Sequence, residues 1–512
     1  MLDAADALPD PDLDRLDPEA LKKLVKGQRG EITHLRLIVQ KLQRMLFGRR
    51  SEKCEPQDDQ LLLLGEAAQP PVDAQPSAEP DVKSSSVVTR KPRSLPEHLR
   101  REIRTYAPDH TACPECGGTL KKLGEDVSEV LDYIPASFIV IRHVRPKMSC
   151  RTCSHVVQAA APSRPVDRGL AGAGLLAHVV TAKYSDHLPL YRQSQIYARE
   201  GVDLDRSTLA RWVAEASDLV EPLVEALRRY VMSTDKLHGD DTPLPVLAPG
   251  TGRTKIGRFW TYVRDSRPAG DDTAPAVWFT YSPDRKGEHP QRHLTDFRGI
   301  LQADAYSGFG RLYQDGSIQE APCMAHIRRK FYDLMVAHHS SIATEAVQRI
   351  AALYQIEKEI RGCLPDQRRQ VRSTRARPLL ESMRRWLEDS LARLAPKSET
   401  AAAIHYALAR WDALARYLDD GRIELDNAAA ERALRAVAVG RKNYLFAGSD
   451  SGGQRAAVFY SLIGSAKLNG LDPEAYLSHV FSRIAEHPIT RIEELLPWNV
   501  AARLSPANQI AA

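Results

Sequence analysis

The chain has 512 residues, 43% hydrophobic and 27% charged, globular values in a chain too long for one ordinary core. Its net charge of +5 is too small to identify a nucleic-acid partner by itself, so the placement of charge matters more than its sum. An acidic start (Asp3, Asp6, Asp10, Asp12, Asp14) and the lack of any run near the roughly 18 apolar residues of a membrane span argue against a signal peptide and a membrane partner, and predict a soluble cytoplasmic protein.

Residues 13–50 are expected to form a coiled-coil helix. Leu21, Val25, Gln28, Ile32, Leu35, Val39, Leu42 and Leu46 follow alternating steps of four and three, the heptad seam of a homodimer. A single amphipathic helix packed on its own chain fits the same pattern. Residues 65–98, rich in Pro, Ala, Ser and Gln, predict a flexible linker that ends near a basic stretch (Arg90, Lys91, Arg93, Arg100, Arg101, Arg104).

Residues 99–160 hold two C-x-x-C pairs, Cys113 with Cys116 and Cys150 with Cys153; Cys54, Cys323 and Cys363 are left over. Four thiolates on two glycine-rich or tight knuckles predict a closed, structural Zn²⁺ site, a zinc ribbon, with a redox pair as the other reading. The run Ser137–Lys147 looks like a strand, which would set His143, Arg145 and Lys147 on one face.

Residues 168–230 look helical. A helix over 188–200, a turn at Gly201 and a helix start capped by Asp205 or Ser207 suggest a helix-turn-helix, with Arg206 and Arg211 placed to reach DNA. A pair of packed helices without a DNA role has the same signature.

From residue 231 to 447 strand and helix signals alternate, broken by an all-helical stretch at about 340–420. Three strands, a helix near 290–297 and a fourth strand match the order of a ribonuclease-H-like core, in which the first strand lies beside the fourth. That order would bring Asp240 to Asp304. Glu431 lies on a helix four residues after Asn427. Three carboxylates with water and phosphate oxygens suit two Mg²⁺ ions, or Mn²⁺ in their place, for phosphodiester chemistry. Residues 448–512 read as a small C-terminal domain of mixed structure, and Gly448–Gly453 as a glycine-rich turn lacking the Gly-Lys-Ser/Thr ending needed for ATP.

Longer motifs sharpen this. Lys183-Tyr-Ser-Asp-His-Leu-Pro-Leu-Tyr-Arg-Gln, His238-Gly-Asp-Asp-Thr-Pro, Leu301-Gln-Ala-Asp-Ala-Tyr-Ser-Gly, Cys323-Met-Ala-His-Ile-Arg-Arg-Lys-Phe, Glu431-Arg-Ala-Leu-Arg and Gly440-Arg-Lys-Asn-Tyr-Leu-Phe-Ala-Gly occur in this order. With them the chain resembles the large transposase of the insertion-sequence-66 family, from about residue 20 to residue 490. The resemblance implies a multidomain α+β protein: a leucine-zipper-like N-terminus, a zinc finger, a DDE nuclease core and a small C-terminal domain. It implies Asp240, Asp304 and Glu431 as the catalytic, Mg²⁺-holding residues. His326, Arg328, Arg329 and Lys330, with Arg441 and Lys442, are the expected contacts to DNA phosphates. The family usually has Ala and Glu where this chain has Gly239 and Asp241, so Asp241 competes with Asp240 for the first position. The implied activity is metal-dependent cleavage at element ends and 3′-hydroxyl strand transfer to target DNA in the nucleoid, with small accessory proteins of the same element as partners. A structure-specific nuclease on the same fold, or a zinc-ribbon regulator with an inactive core, would share these features.

Overall fold

A computed structural model describes residues 138–144, 147–149, 156–158, 163–166, 169–248 and 250–504. The expected coiled coil, the linker and the four paired cysteines lie outside the described residues. Residues 138–144 belong to a unit separate from that of Lys147 onward. They form no strand and expose Ile139, Val140, Ile141 and Val144. Among its described residues the expected strand over 137–147 is thus corrected: 138–144 form none, and Lys147 is in a strand where a partner supplies the hydrogen bonds it needs. Strand β1 (Lys147–Ser149) runs antiparallel to β2 (Val156–Gln158), Lys147 opposite Gln158. In sequence this pair brackets Cys150 and Cys153.

Three helices follow: α1 (Ala173–Tyr184), α2 (Leu190–Arg199) and α3 (Arg206–Met232). Gly201 turns the chain between α2 and α3 with φ of 83°, a conformation that glycine adopts without strain. Asp205 is the N-cap residue, but its side chain makes no cap hydrogen bond. Helix α3 has 27 residues. Its apolar stripe (Leu209, Trp212, Val213, Ala216, Val220, Leu223, Leu227) continues at helical spacing and is buried throughout.

Next in the unit from Lys147 onward comes a five-stranded sheet: β3 (Lys236–Ala248), β4 (Arg253–Arg264), β5 (Ala276–Ser282), β6 (Gly299–Ala303) and β7 (Ile318–Pro322), ordered β5-β4-β3-β6-β7. The β3-β4-β5 half is antiparallel and the β3-β6-β7 half parallel. The first sheet strand therefore lies beside the fourth, as the strand order predicted. The helix before β6, α4, spans Glu288–His293. Only Lys236–His238 of β3 pair with β6. Further along, Pro243 and Pro245 lack the N–H a central strand needs, and residue 447 takes over that side: Leu247 N–H donates to the Ala447 carbonyl at 2.8 Å and Ala447 N–H to Pro245 at 2.9 Å.

After β7 come α5 (Met324–His338) and the helical insertion: α6 (Ser341–Glu359), α7 (Pro365–Val371), α8 (Arg377–Ala392), α9 (Glu399–Leu408) and α10 (Trp411–Ala415). Ile350, Leu353, Leu380, Met383, Leu387, Ile404 and Trp411 of the insertion share one core with Phe331 and Leu334 of α5. Helix α11 (Ala428–Tyr444) carries Glu431. The C-terminal part is helical rather than mixed, with α12 (Asp450–Leu468), α13 (Pro473–Phe481) and α14 (Pro497–Leu504). The supposed glycine turn is the start of α12, where the Ser449 hydroxyl accepts the Gly452 N–H at 3.1 Å. Helix α12 also closes the sheet edge. The Ser461 hydroxyl accepts the Phe279 N–H at 2.8 Å and that of Ser465 the Val277 N–H at 3.0 Å, covering donors that β5 would otherwise leave open.

Candidate active site

The register of β3 and β6 sets the site. His238 is paired with Gln302. Two residues beyond each stand Asp240 and Asp304, and residues two apart on a strand share a face. On that face lies the segment leading into α11. The Gln302 side chain donates to the carbonyls of Glu424 (2.7 Å) and Asp426 (2.9 Å) and accepts from the Glu424 N–H (2.9 Å). Asn427 meets His238 Nδ1 at 3.0 Å and donates to the Gly239 carbonyl at 2.8 Å. Met324 N–H donates to the Leu425 carbonyl at 3.1 Å. These bonds hold the N-terminus of α11 across β3 and β6, and Glu431 lies in its first turn, where the helix dipole favours a carboxylate.

Asp240 is surrounded by acids. Burial and the Asp304 carboxylate push its pKa far up, Glu431 and Asp241 add to this, and the Asp241 N–H, 2.7 Å from Oδ1, opposes it. Asp241 has a different setting. It is fully covered, and its oxygens meet Arg258 at 2.8 Å and Arg285 at 2.7 Å. Arg258 lies on the same sheet face as Asp241, because Asp241 pairs with Trp260 two residues away. Arg285 also stands 3.8 Å from Asp304 and 4.1 Å from the Tyr306 ring. Asp304 closes the turn after β6 by accepting the Tyr306 N–H at 3.1 Å. Glu431 Oε1 is 3.9 Å from Cys323 Sγ and 3.8 Å from His326 Nδ1.

The basic residues divide. Arg329 and Lys330 are exposed, as are Arg206 and Arg211 at the start of α3 and Lys442 at the end of α11. Arg328, expected at a phosphate, is 7% exposed and packs toward Tyr332, 5.8 Å from its ring. On α5 it falls one position after Ile327 on the core side, which explains its burial. His326 is partly exposed, with Nδ1 3.8 Å from Glu431. Arg441 donates to the Pro243 carbonyl and lines a cleft with Lys183, Tyr444, Arg455 and Tyr460. Burial lowers the Lys183 pKa to about 8, and its ammonium lies 4.8 Å from the Tyr444 ring. Sequence reasoning missed Lys183, Arg285 and Arg455 as charged neighbours of this region. The signal for Lys183 was available in the first quoted motif; Arg285 stands in a turn with no distinguishing pattern.

Matches to known families give the class, a nucleic-acid-processing transposase. The chain belongs to the family described as Transposase IS66 family, whose profile matches residues 168–455. The zinc-finger binding domain of transposase IS66 matches residues 110–154, which contain all four paired cysteines, and the IS66 C-terminal element matches 461–498. Residues 34–104 match Transposase C of IS166 homeodomain. The chain is similar to two uncharacterized proteins of Sinorhizobium fredii. One, y4hP, is 42% identical over 491 residues, covering 91% of this chain and 88% of the relative. The other, y4jD, is 39% identical over 499 residues, covering 94% and 96%. It is thus a transposase of an insertion sequence, with zinc-finger and DNA-binding parts. Among the described residues no helix is long and apolar enough to cross a membrane.

Proposed function

We propose that the chain cleaves the DNA at the ends of its element and joins the freed 3′-hydroxyl to target DNA, with Asp240, Asp304 and Glu431 as a DDE cluster on a ribonuclease-H-like core. The observation that carries this is that Asp240 and Asp304 each stand two residues past the last β3–β6 pair, His238 with Gln302, with α11 tied over both strands. The sheet order β5-β4-β3-β6-β7 supports the fold.

The acids fit divalent metal. Asp240 has carboxylate neighbours and is largely removed from water, a charge set that is unfavourable until cations enter it. Two Mg²⁺ ions, when bound, supply activation of the attacking oxygen and charge stabilisation at the leaving oxygen. The chain's own residues do the rest. Asp240 presents its oxygens from within β3 and Asp304 from just past the end of β6, and Glu431 presents its own from a helix start. Arg258 and Arg285 neutralise Asp241, which leaves Asp240 to serve as the first acid. Arg329, Lys330, Lys442, Arg206 and Arg211 offer exposed charge to backbone phosphates. Cys113, Cys116, Cys150 and Cys153 hold a structural Zn²⁺, the last two in the connection between β1 and β2. The N-terminal coiled coil pairs two copies.

The test is joining of a pre-cleaved element end to a plasmid in Mg²⁺, with wild type and Asp240→Asn, Asp304→Asn and Glu431→Gln. Wild type joins and the three variants do not. Cleavage without joining would establish the plain nuclease instead, and no metal-dependent cleavage would leave a DNA-binding regulator.

A further inference from the structure

Cys323, His326 and Glu431 form a second constellation that the DDE chemistry does not require. Their ligand atoms all lie within 4.8 Å of one another. Cys323 is the N-cap residue of α5, and His326 follows three residues later on the same face. Glu431 reaches them from α11. Cys323 Sγ and His326 Nδ1 converge on one atom, Glu431 Oε1, at 3.9 and 3.8 Å. A tetrahedral zinc with S, N and O ligands at ordinary bond lengths sets neighbouring donors about 3.3–3.5 Å apart. The two spacings to Glu431 are within half an ångström of that. Two further observations point to a ligand. His326 Nδ1 is fully covered and has no hydrogen-bond partner among the described residues, although a buried ring nitrogen normally has one. The second is the Asn427 N–H, which donates to Cys323 Sγ at 3.2 Å and holds the sulfur in place beside Glu431.

We infer that Cys323, His326 and Glu431 are a site for a soft divalent cation, Zn²⁺ or Co²⁺, with a fourth position open to water. Occupation displaces the Cys323 thiol proton to solvent and engages Glu431 Oε1. Resting on the DDE reading, the consequence is that Zn²⁺ at this site withdraws Glu431 from the magnesium cluster and inhibits the enzyme. The site is mixed in softness: the thiolate and imidazole select zinc over magnesium, whereas Asp240 and Asp304 offer oxygen alone.

The experiment uses the full chain with its ribbon already filled by Zn²⁺ and titrates Co²⁺, followed by absorption. The expected result is one further Co²⁺ per chain with a thiolate-to-cobalt charge-transfer band. Cys323→Ser, which keeps an acceptor for the Asn427 N–H, removes the band, and His326→Gln weakens binding at least about tenfold, as loss of a ligand does. In Mg²⁺-dependent cleavage, added Zn²⁺ inhibits wild type, and Cys323→Ser needs at least about tenfold more. No thiolate band beyond the filled ribbon, or an unchanged band in Cys323→Ser, overturns the site. If the band forms at Cys323 while Glu431→Gln still cleaves DNA, the DDE reading fails and the soft-metal site stands.

Discussion

Asp241 is held between Arg258 and Arg285 with its side chain fully covered, whereas its neighbour Asp240 meets Asp304 and Glu431 through like charge. Removing each charge therefore has opposite effects on stability. Asp241→Asn leaves two guanidinium groups without their acid and destabilises the fold by about 3 kcal/mol, the low end for a broken buried pair because both arginines reach solvent. Asp240→Asn relieves repulsion and raises the melting temperature of the metal-free protein, by about 2–4 °C for each 1 kcal/mol relieved. Thermal denaturation in chelator reads both; a drop for Asp240→Asn of the size seen for Asp241→Asn would contradict the assignment. His293 gives a pH signature of its own. It accepts or donates at Tyr262 Oη, 3.0 Å away, and lies edge-on to Trp260, Tyr262 and Trp278. Burial, aided by His289 and Arg292, lowers its pKa to about 3. An unfolded histidine takes up its proton near pH 6.5. The folded state therefore keeps this contribution above about 6.5 and loses it progressively as pH falls toward about 3. His293→Phe flattens that acid limb in a series of denaturant titrations, and an unchanged slope would show that His293 is not held neutral.

Helix α11 is placed by few bonds, so they are measurable. Asn427→Ala removes the contacts to His238 and Gly239, leaves a buried carbonyl without its donor, and costs about 1–3 kcal/mol. It lowers cleavage while keeping end binding, because Glu431 loses its hold on β3 and no DNA-facing cation changes. Equal losses of cleavage and binding would contradict that role. At the opposite sheet edge, Ser461→Ala and Ser465→Ala strip the cover from the Phe279 and Val277 N–H groups. Each costs about 1–3 kcal/mol, and urea titrations check it; a change under 0.5 kcal/mol, the range of a neutral surface substitution, would show the edge to be closed by other groups. These two devices were not legible in sequence. The helix containing Glu431 was, because its alanine-rich run is local information. Its docking was not, because Asn427 meets residues 188 and 189 positions away. The serines of α12 looked like ordinary helix polar residues until the strand they cover was known.

At the scale of the molecule, alternating strand and helix signals made the place of the first sheet strand beside the fourth readable. The role of the insertion was not readable. Arg368 and Arg372, 1% and 0% exposed, both bind Glu357, and they reach the carbonyls of Gly421 and Tyr417 and the Glu424 carboxylate. Buried charges of this kind fix the segment over residues 417–424 that leads into the Asn427 clamp, so the helices between the second and third acids hold Glu431's approach to the sheet rather than only spanning a distance. The run over 138–144 failed as a strand for the complementary reason: β-branched residues favour a strand only where a neighbouring strand can pair with them. The central claim is that Asp240, Asp304 and Glu431 act as one metal-dependent cluster, separate from the DNA-binding surfaces. Its most direct measurement is Mg²⁺-dependent cleavage of element-end DNA by Asp304→Asn, alongside end binding at fixed salt. The account predicts cleavage lost by at least about 10³-fold, on the scale of removing a catalytic group, with binding unchanged within about threefold, less than 1 kcal/mol. Full cleavage by Asp304→Asn, or loss of end binding in step with cleavage, would contradict it.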